Sequence, residues 1–287
     1  MNIALDTPLY IWQQGKRQNQ EDALYPLPQA ATSQDQCFIL CDGMGGHEKG
    51  EVASSIVSCT IGRKINRYLS NGEKITKATI DACLIDAYHA LDNADTSGQE
   101  DRRMGTTLTM LCFSPEGCMM VHIGDSRIYH IRPSEQRILY KSRDHSVVND
   151  LILAGEITEA EARTSPSRNM LTRAVMAHQA TPAMPDIFTT QDLQPGDCFL
   201  LCSDGLLEQM TDQVIVDILS SQYTNTRKIS ALCNRCQNNQ DNYSAWLITV
   251  KQANCKSKTA SIKQTLHKKN SKWQILLKKF EHILNNV

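Results

Sequence analysis

Two near-identical runs, each ending on an acid, constrain this chain more than anything else in it. Phe38-Ile39-Leu40-Cys41 runs into Asp42-Gly43, and Phe199-Leu200-Leu201-Cys202 runs into Ser203-Asp204-Gly205. A third run, Met119 to Ile123, enters Gly124-Asp125-Ser126. A fourth reverses the order, with Asp241-Asn242 ahead of Ala245 to Val250. Short apolar runs bounded by Gly and Asp read as buried strands. A strand end presents a side chain more rigidly than a loop does, so each run is a mount for a carboxylate.

The segments between these mounts narrow the architecture. Residues 105–141 predict an antiparallel meander, with turns at Ser114-Pro115-Glu116-Gly117, Gly124-Asp125-Ser126 and Pro133-Ser134-Glu135. Connections this short cannot make parallel crossovers, so a Rossmann-type sheet is excluded. Apolar residues recur on one face over 49–69 and again over 75–92, which predicts two long helices. A second helical pair is expected over 211–220 and 226–238, and a polar helical insertion over 145–176. Helices before and after antiparallel strands predict an α+β fold in packed layers.

Charge divides the chain. The formal net charge is −1, yet residues 251–287 carry nine lysines and one acid, a balance of +8, which leaves −9 for residues 1–250. An acidic body argues against nucleic acid as a partner and suits a site that gathers cations. No stretch has the roughly 18 apolar residues needed to span a bilayer, and Met1 to Asp6 carry no secretory signal pattern. Most of the 11 cysteines sit in apolar runs, and only Cys233 and Cys236 form a C-x-x-C. Buried reduced thiols in a cytoplasmic protein are therefore expected. From Trp273 the tail predicts an amphipathic helix: Leu276, Leu277, Phe280, Ile283, Leu284 and Val287 share one stripe and the lysines lie largely off it. Such a helix either docks on a partner or an anionic membrane surface, or folds back on the body.

Carboxylates at strand ends suit one kind of chemistry. Phosphate monoesters hydrolyse extremely slowly unaided. Two hard cations about 3.5–4 Å apart can generate the nucleophile and neutralise the phosphoryl oxygens, and magnesium and manganese prefer oxygen donors. Asp42 is the candidate bridging ligand, with the Gly43 carbonyl free to approach a metal. Asp204 and Asp241 are candidate terminal ligands, Arg17 a bidentate phosphate clamp, and Glu21 and Asp22 candidates to orient metal-bound waters. His47, His122 and His145 lack metal-spaced neighbours and read as exposed or core residues. These residues alone point to a metal-dependent hydrolase.

The order of motifs from about Gly15 to Val250 resembles the PPM, or type 2C, protein phosphatase family in its bacterial form. Gly15 to Asp22 is similar to its first motif, with an arginine and a Glu-Asp pair. Phe38 to Gly46 is similar to its metal-bridging Asp-Gly motif. Gly105-Thr106-Thr107, His122 to Arg127, Asp144-His145-Ser146, Asn169 to Ala174, Leu201 to Leu206 and Asp241-Asn242 follow in the family's order. The resemblance implies a four-layer α-β-β-α sandwich of two antiparallel sheets flanked by helices, with residues 1–250 catalytic, a flap at about 145–176, and a separate tail over 251–287. It implies a monomeric protein serine/threonine phosphatase that reverses a cognate kinase by attack of a metal-activated water. Asp42 would bridge two Mg2+ or Mn2+ ions, and Asp204 and Asp241 would hold the second. Asp125, with Asp204, would hold a weaker third ion. Three positions depart from the pattern: Met44 replaces the histidine proposed as general acid in animal members, Val175-Met176 replaces Leu-Gly at the flap's return, and Tyr243-Ser244 follows Asp241-Asn242 in place of Ile-Thr. A non-catalytic phosphoprotein-binding relative and a hydrolase of small phosphate esters remain the alternatives at this point.

Overall fold

Burial on both faces of the strands, not alternation, organises the sheets. A computed structural model describes residues 3–45, 49–96 and 103–253. One sheet contains β1 (Ile3–Leu5), β2 (Leu9–Gln13), β8 (Arg127–Arg132), β9 (Arg137–Lys141), β12 (Cys198–Cys202) and β13 (Tyr243–Ala253). Its order is β1-β13-β12-β8-β9, with β2 also paired to β13. The other contains β3 (Asp22–Tyr25), β4 (Cys37–Met44), β5 (Gly105–Thr106), β6 (Leu108–Ser114), β7 (Gly117–Ile123), β10 (Val175–Met176) and β11 (Asp186–Thr190). Its order is β10-β5-β4-β6-β7-β11, with β3 on β4. All of these strand pairs are antiparallel.

Side chains alternate between two cores along each twin strand, because successive strand residues face opposite ways. Phe38 and Leu40 of β4 meet Phe199 and Leu201 of β12 between the sheets. Ile39 and Cys41 instead pack outward with Val57 and Ile61 of α1 (Lys49–Ser70) and Leu84 of α2 (Lys77–Ala94). Leu200 and Cys202 pack outward on the far side with Ile215 of α6 (Asp212–Ser220) and Leu232 of α7 (Asn225–Arg235). The result is four layers, α-β-β-α. Each fully buried Leu, Ile or Phe stabilises such a sandwich by about 1.5–3 kcal/mol relative to exposure. Trp246 of β13 is fully buried, and its indole N–H donates to the Ile39 carbonyl of the opposite sheet at 3.1 Å, which ties the two sheets together. The ten described cysteines carry free thiols.

The predicted meander over 105–141 is corrected. β6 and β7 form a hairpin in one sheet, β8 and β9 a hairpin in the other, and the chain changes sheets at Gly124-Asp125-Ser126. Two antiparallel hairpins give the same pattern of apolar runs whether they share a sheet or not, so periodicity alone does not distinguish them. The predicted insertion holds two short helices, α3 (Val147–Ala154) and α4 (Glu159–Thr164). Ser146 caps the first, and a Thr158–Glu161 capping box starts the second. Residues 251–253 complete β13, with Ala253 opposite Ile3. The predicted tail helix lies outside the described residues. No helix among the described residues is long and apolar enough to cross a membrane.

Candidate active site

Asp42 shares strand parity with Phe38 and Leu40, so it points between the sheets at the end of β4. β3 runs antiparallel beside it and sets Asp22 directly opposite Asp42. The other twin carries one residue more before its acid. Ser203 therefore continues the inward parity of Phe199 and Leu201, and Asp204 begins the short helix α5 (Asp204–Leu207). The Ser203 hydroxyl donates to Asp22 Oδ2 at 2.9 Å and accepts from the Ser244 N–H at 3.0 Å. The Asp204 charge in turn bears directly on Asp42. Asp241 immediately precedes Asn242 and β13, and Arg17 Nη2 donates to Asp241 Oδ2 at 2.6 Å. The Arg17 side chain is 54% exposed, so this pair marks the mouth of the cluster.

Charge repulsion dominates the site. Burial first, then Asp22, Asp204, Asp125 and Asp241, pushes the Asp42 carboxyl well above the usual carboxylate range. Burial raises Asp22 to about 7, against hydrogen bonds that favour its charge. Burial and Asp241 raise Asp204 to about 6. Burial, Asp204 and Asp144 raise Asp125 to about 8. Burial also lifts Glu21. Arg17 is held charged chiefly by its bond to Asp241. Arg17, with Arg127 acting on Asp125 while bonded to Asp144, cannot neutralise this set, and buried carboxylates without counter-charge are expensive. Asp22 Oδ1 is buried with no hydrogen-bond partner among the described residues. Hard oxygen donors, an orphaned carboxylate oxygen and surplus negative charge all fit divalent cations of the Mg2+ or Mn2+ class.

The structure gives Gly43 a reason for being glycine other than carbonyl access. A Cβ there would stand 2.1 Å from the Gly50 carbonyl oxygen of α1, so the helix start can approach β4 only because that atom is missing. Three bracing residues escaped the sequence reading. Thr107 interrupts the strand between β5 and β6. Its hydroxyl accepts from the Asp42 N–H at 3.0 Å and bonds Ser126 Oγ at 2.8 Å, and its own N–H donates to the Asp42 carbonyl at 2.9 Å. Ser203 is the second. Asn242 is the third: its Oδ1 accepts from the Glu21 N–H at 2.8 Å, and its Nδ2 donates to the Gln14 and Asn19 carbonyls at 2.8 and 2.9 Å. It thus anchors the loop that carries Arg17. Their signal was present only as motif letters: the threonines after Gly105, the extra serine in one twin, the asparagine after Asp241.

Of the three histidines, His122 and His145 are buried, with their rings stacked 4.5 Å apart, as the core reading allowed. His47 lies outside the described residues.

Known proteins share this arrangement. The family model for protein phosphatase 2C matches residues 14–253. The serine/threonine protein phosphatase PstP of Mycobacterium tuberculosis (strain H37Rv) is 33% identical over 203 residues. That match covers 71% of this chain but 36% of PstP, so the chain spans about a third of that relative's length. The protein phosphatase PhpP of Streptococcus pneumoniae (strain R6) is 33% identical over 229 residues, covering 74% of this chain and 85% of PhpP. The crystal structure of the M. tuberculosis phosphatase superposes with a TM-score of 0.70 at 27% identity, covering 87% of this chain and 100% of that one. The catalytic domain of PstP in complex with two manganese ions gives 0.69 at 28% identity, covering 88% and 100%. The twin acid-bearing strands, the four layers and the match over residues 14–253 place this chain in the protein phosphatase 2C family.

Proposed function

We propose that this chain hydrolyses phosphoserine and phosphothreonine on proteins, with Mg2+ or Mn2+ as cofactor. The observation that carries the reading is the convergence of Asp42 with Asp22, Asp125, Asp204 and Asp241 on rigid strand ends, with Arg17 at the mouth. Bound divalent cations supply a water acidic enough to attack phosphorus and offset the phosphoryl charge.

Asp42 would be shared between two tight ions, with the Gly43 carbonyl binding one and Asp204 and Asp241 holding the other. Asp125, with Asp204, would hold a weaker third. Glu21 and Asp22 would accept hydrogen bonds from metal-bound waters, and the Ser203 bond fixes the orientation of Asp22. Arg17 binds two phosphoryl oxygens with its planar fork. Met44 has no proton to give, so the departing serine or threonine oxygen takes its proton from water. The half-open mouth at Arg17 suits a phosphorylated side chain projecting from a protein surface.

The substrates are products of a serine/threonine kinase, as the names of the relatives suggest. The free buried thiols favour a reducing compartment, the cytoplasm. The catalytic body is a monomer with its flap at about 145–176, and the basic tail over 254–287 serves docking, on a partner or an anionic membrane.

Phosphate release from a phosphothreonine peptide with Mn2+ tests the reading. Chelator is expected to stop it, and Asp42→Asn or Asp204→Asn to lower it by about 1,000-fold or more while circular dichroism stays native. Turnover that persists in excess chelator, or near-normal rates in Asp42→Asn, overturns it.

A further inference from the structure

His122, His145 and Asp186 bring three metal-type donors within 4.8 Å of one another. The geometry argues against a cation there. The two imidazole planes lie 14° apart in a stack. A ring nitrogen's lone pair lies in its own ring plane, so two stacked rings cannot both aim at one ion. Arg173 also already supplies positive charge, with Nη1 2.9 Å from Asp186 Oδ1.

The protons of this group can be assigned from its bonds. The Gly124 N–H donates to His145 Nδ1 at 3.1 Å, so Nδ1 carries no proton. A neutral ring then bears its proton on Nε2, which faces Asp186 Oδ2 at 3.3 Å. Arg173 Nη1, a donor only, also lies 3.3 Å from Nε2, but its hydrogens are taken by Asp186 Oδ1 at 2.9 Å and the Met184 carbonyl at 3.3 Å, which leaves Nε2 to donate to Asp186. Asp186 thereby fixes the tautomer that Gly124 requires. His122 donates through Nε2 to the Arg143 carbonyl at 2.7 Å and stacks on the His145 ring, which holds its plane.

The same residue grips Gly124 a second time: the His145 N–H donates to the Gly124 carbonyl at 2.9 Å. Both polar groups of one peptide residue are thus held by one partner. Gly124 sits at φ +106, where a Cβ would lie 2.6 Å from Thr107 Cγ2. Only glycine fits, and glycine is the residue with most backbone freedom to lose. Such a turn needs external bracing. On its other side Ser126 is tied to Thr107, and Arg127 is bidentate to Asp144 at 2.7 Å through both Nε and Nη2. Asp125 is the residue between these braces, at the point where the chain leaves one sheet for the other.

We propose that His145 is a positioning residue: its backbone and its Nδ1 clamp Gly124 and so hold the Asp125 carboxylate in ligating position. This rests on the reading of Asp125 as ligand of the weaker ion. A residue that merely filled space would serve as well with leucine in its place.

The test compares His145→Asn, His145→Gln and His145→Leu with Asp125→Ala and the double variant Asp125→Ala/His145→Leu. Asparagine sets its amide oxygen near the place of Nδ1, glutamine near that of Nε2, and leucine keeps bulk alone. Two readouts apply: hydrogen exchange of the Gly124 amide in metal-free protein, and Mn2+ titrations by calorimetry alongside phosphopeptide turnover. His145→Leu and His145→Gln are expected to lose Gly124 protection and to raise the Mn2+ requirement of the weak site by about tenfold or more, leaving the two tight sites unchanged. His145→Asn should restore both readouts, and His145→Leu should add nothing in the Asp125→Ala background. The proposal is overturned by an unchanged Mn2+ requirement in His145→Gln and His145→Leu, by a full effect in the Asp125→Ala background, or by no rescue in His145→Asn. If His145→Leu fails to fold, the Asn–Gln pair decides. If Asp125→Ala itself leaves the Mn2+ requirement unchanged, the ligand reading of Asp125 fails and the clamp's purpose with it. If Asp125→Ala alone shifts it, only the clamp fails.

Discussion

Chelation should make this protein's stability fall as pH rises through neutrality, against the usual trend for acid-labile proteins. Asp204, Asp22 and Asp125 are lifted to about 6, 7 and 8, chiefly by burial and secondly by neighbouring carboxylates, against hydrogen bonds that favour the charged form. In the unfolded chain each titrates near 3.9. Between these limits the metal-free folded state holds protons the unfolded state has released. Stability then declines with pH by about 1.4 kcal/mol per unit for each extra proton held. The stabilising window lies below about 4, and the loss is complete only above about 8. His122 and His145 work the other way, since burial lowers both, but that contribution fades as the unfolded chain's histidines lose their protons, half gone at about 6.5 and mostly gone above about 7. The clean window is therefore about pH 7 to 8.

Because the carboxylates face one another, a proton on one relieves the rest, and about one net proton is a fair measure over this window. That gives a loss of about 1.4 kcal/mol across one pH unit, or about 3–6 °C in Tm for a domain of this size. With saturating Mn2+ the charges are met by cations and the decline should largely vanish. The assay is a thermal melt at pH 7.0, 7.5 and 8.0, with chelator and with Mn2+. The gap between the two curves should widen with pH, and Asp125→Asn should flatten the chelated curve. A gap that stays constant, or a chelated Tm that rises with pH, would falsify the account of the site as a repulsive carboxylate cluster.

Arg17→Ala is expected to lower kcat/KM for a phosphopeptide by about 10–100-fold, the scale of a charge-assisted hydrogen-bond pair; an effect no larger than that of exposed Arg63→Ala counts against the clamp. Thr107→Val keeps the side chain's shape but removes the hydroxyl that joins the Asp42 N–H to Ser126, so a stability loss of about 1–3 kcal/mol should accompany reduced turnover, read by urea melts and rates on one sample. A chain stopped after Cys255, which spares the Ile3–Ala253 pairing, should keep peptide turnover and lose binding to vesicles of anionic lipid; loss of the body's melting transition would instead assign the tail to packing.

What the sequence made legible was whatever a single strand carries by itself. An apolar run announces burial on both faces, and an acid at its end announces a mount, so Asp42, Asp204, Asp125 and Asp241 could be read before any of them had a neighbour. The partners could not be read that way. Thr107 braces Asp42 from 65 positions away, and Ser203 braces Asp22 from 181. Periodicity reports which face a residue takes but not what stands opposite. The one-residue difference between the twins makes the point. Read as copies, FILCDG and FLLCSDG suggest two equivalent acids facing each other. In a strand of period two, a single added residue sends the following side chain to the other face. Ser203 takes the inward place and anchors Asp22, while Asp204 starts α5 instead of standing opposite Asp42 as a mirror image. Two inward acids from two inner strands would give a symmetric pair. One inward acid with one from the adjoining turn gives an unequal pair, in which Asp42 suits the bridging place and Asp204 a terminal one. On the proposed reading, the inserted serine is therefore where the sequence separates the two ligand roles, and a chain lacking Ser203 should show lower phosphopeptide turnover with Mn2+ than either Asp42→Asn or Asp204→Asn.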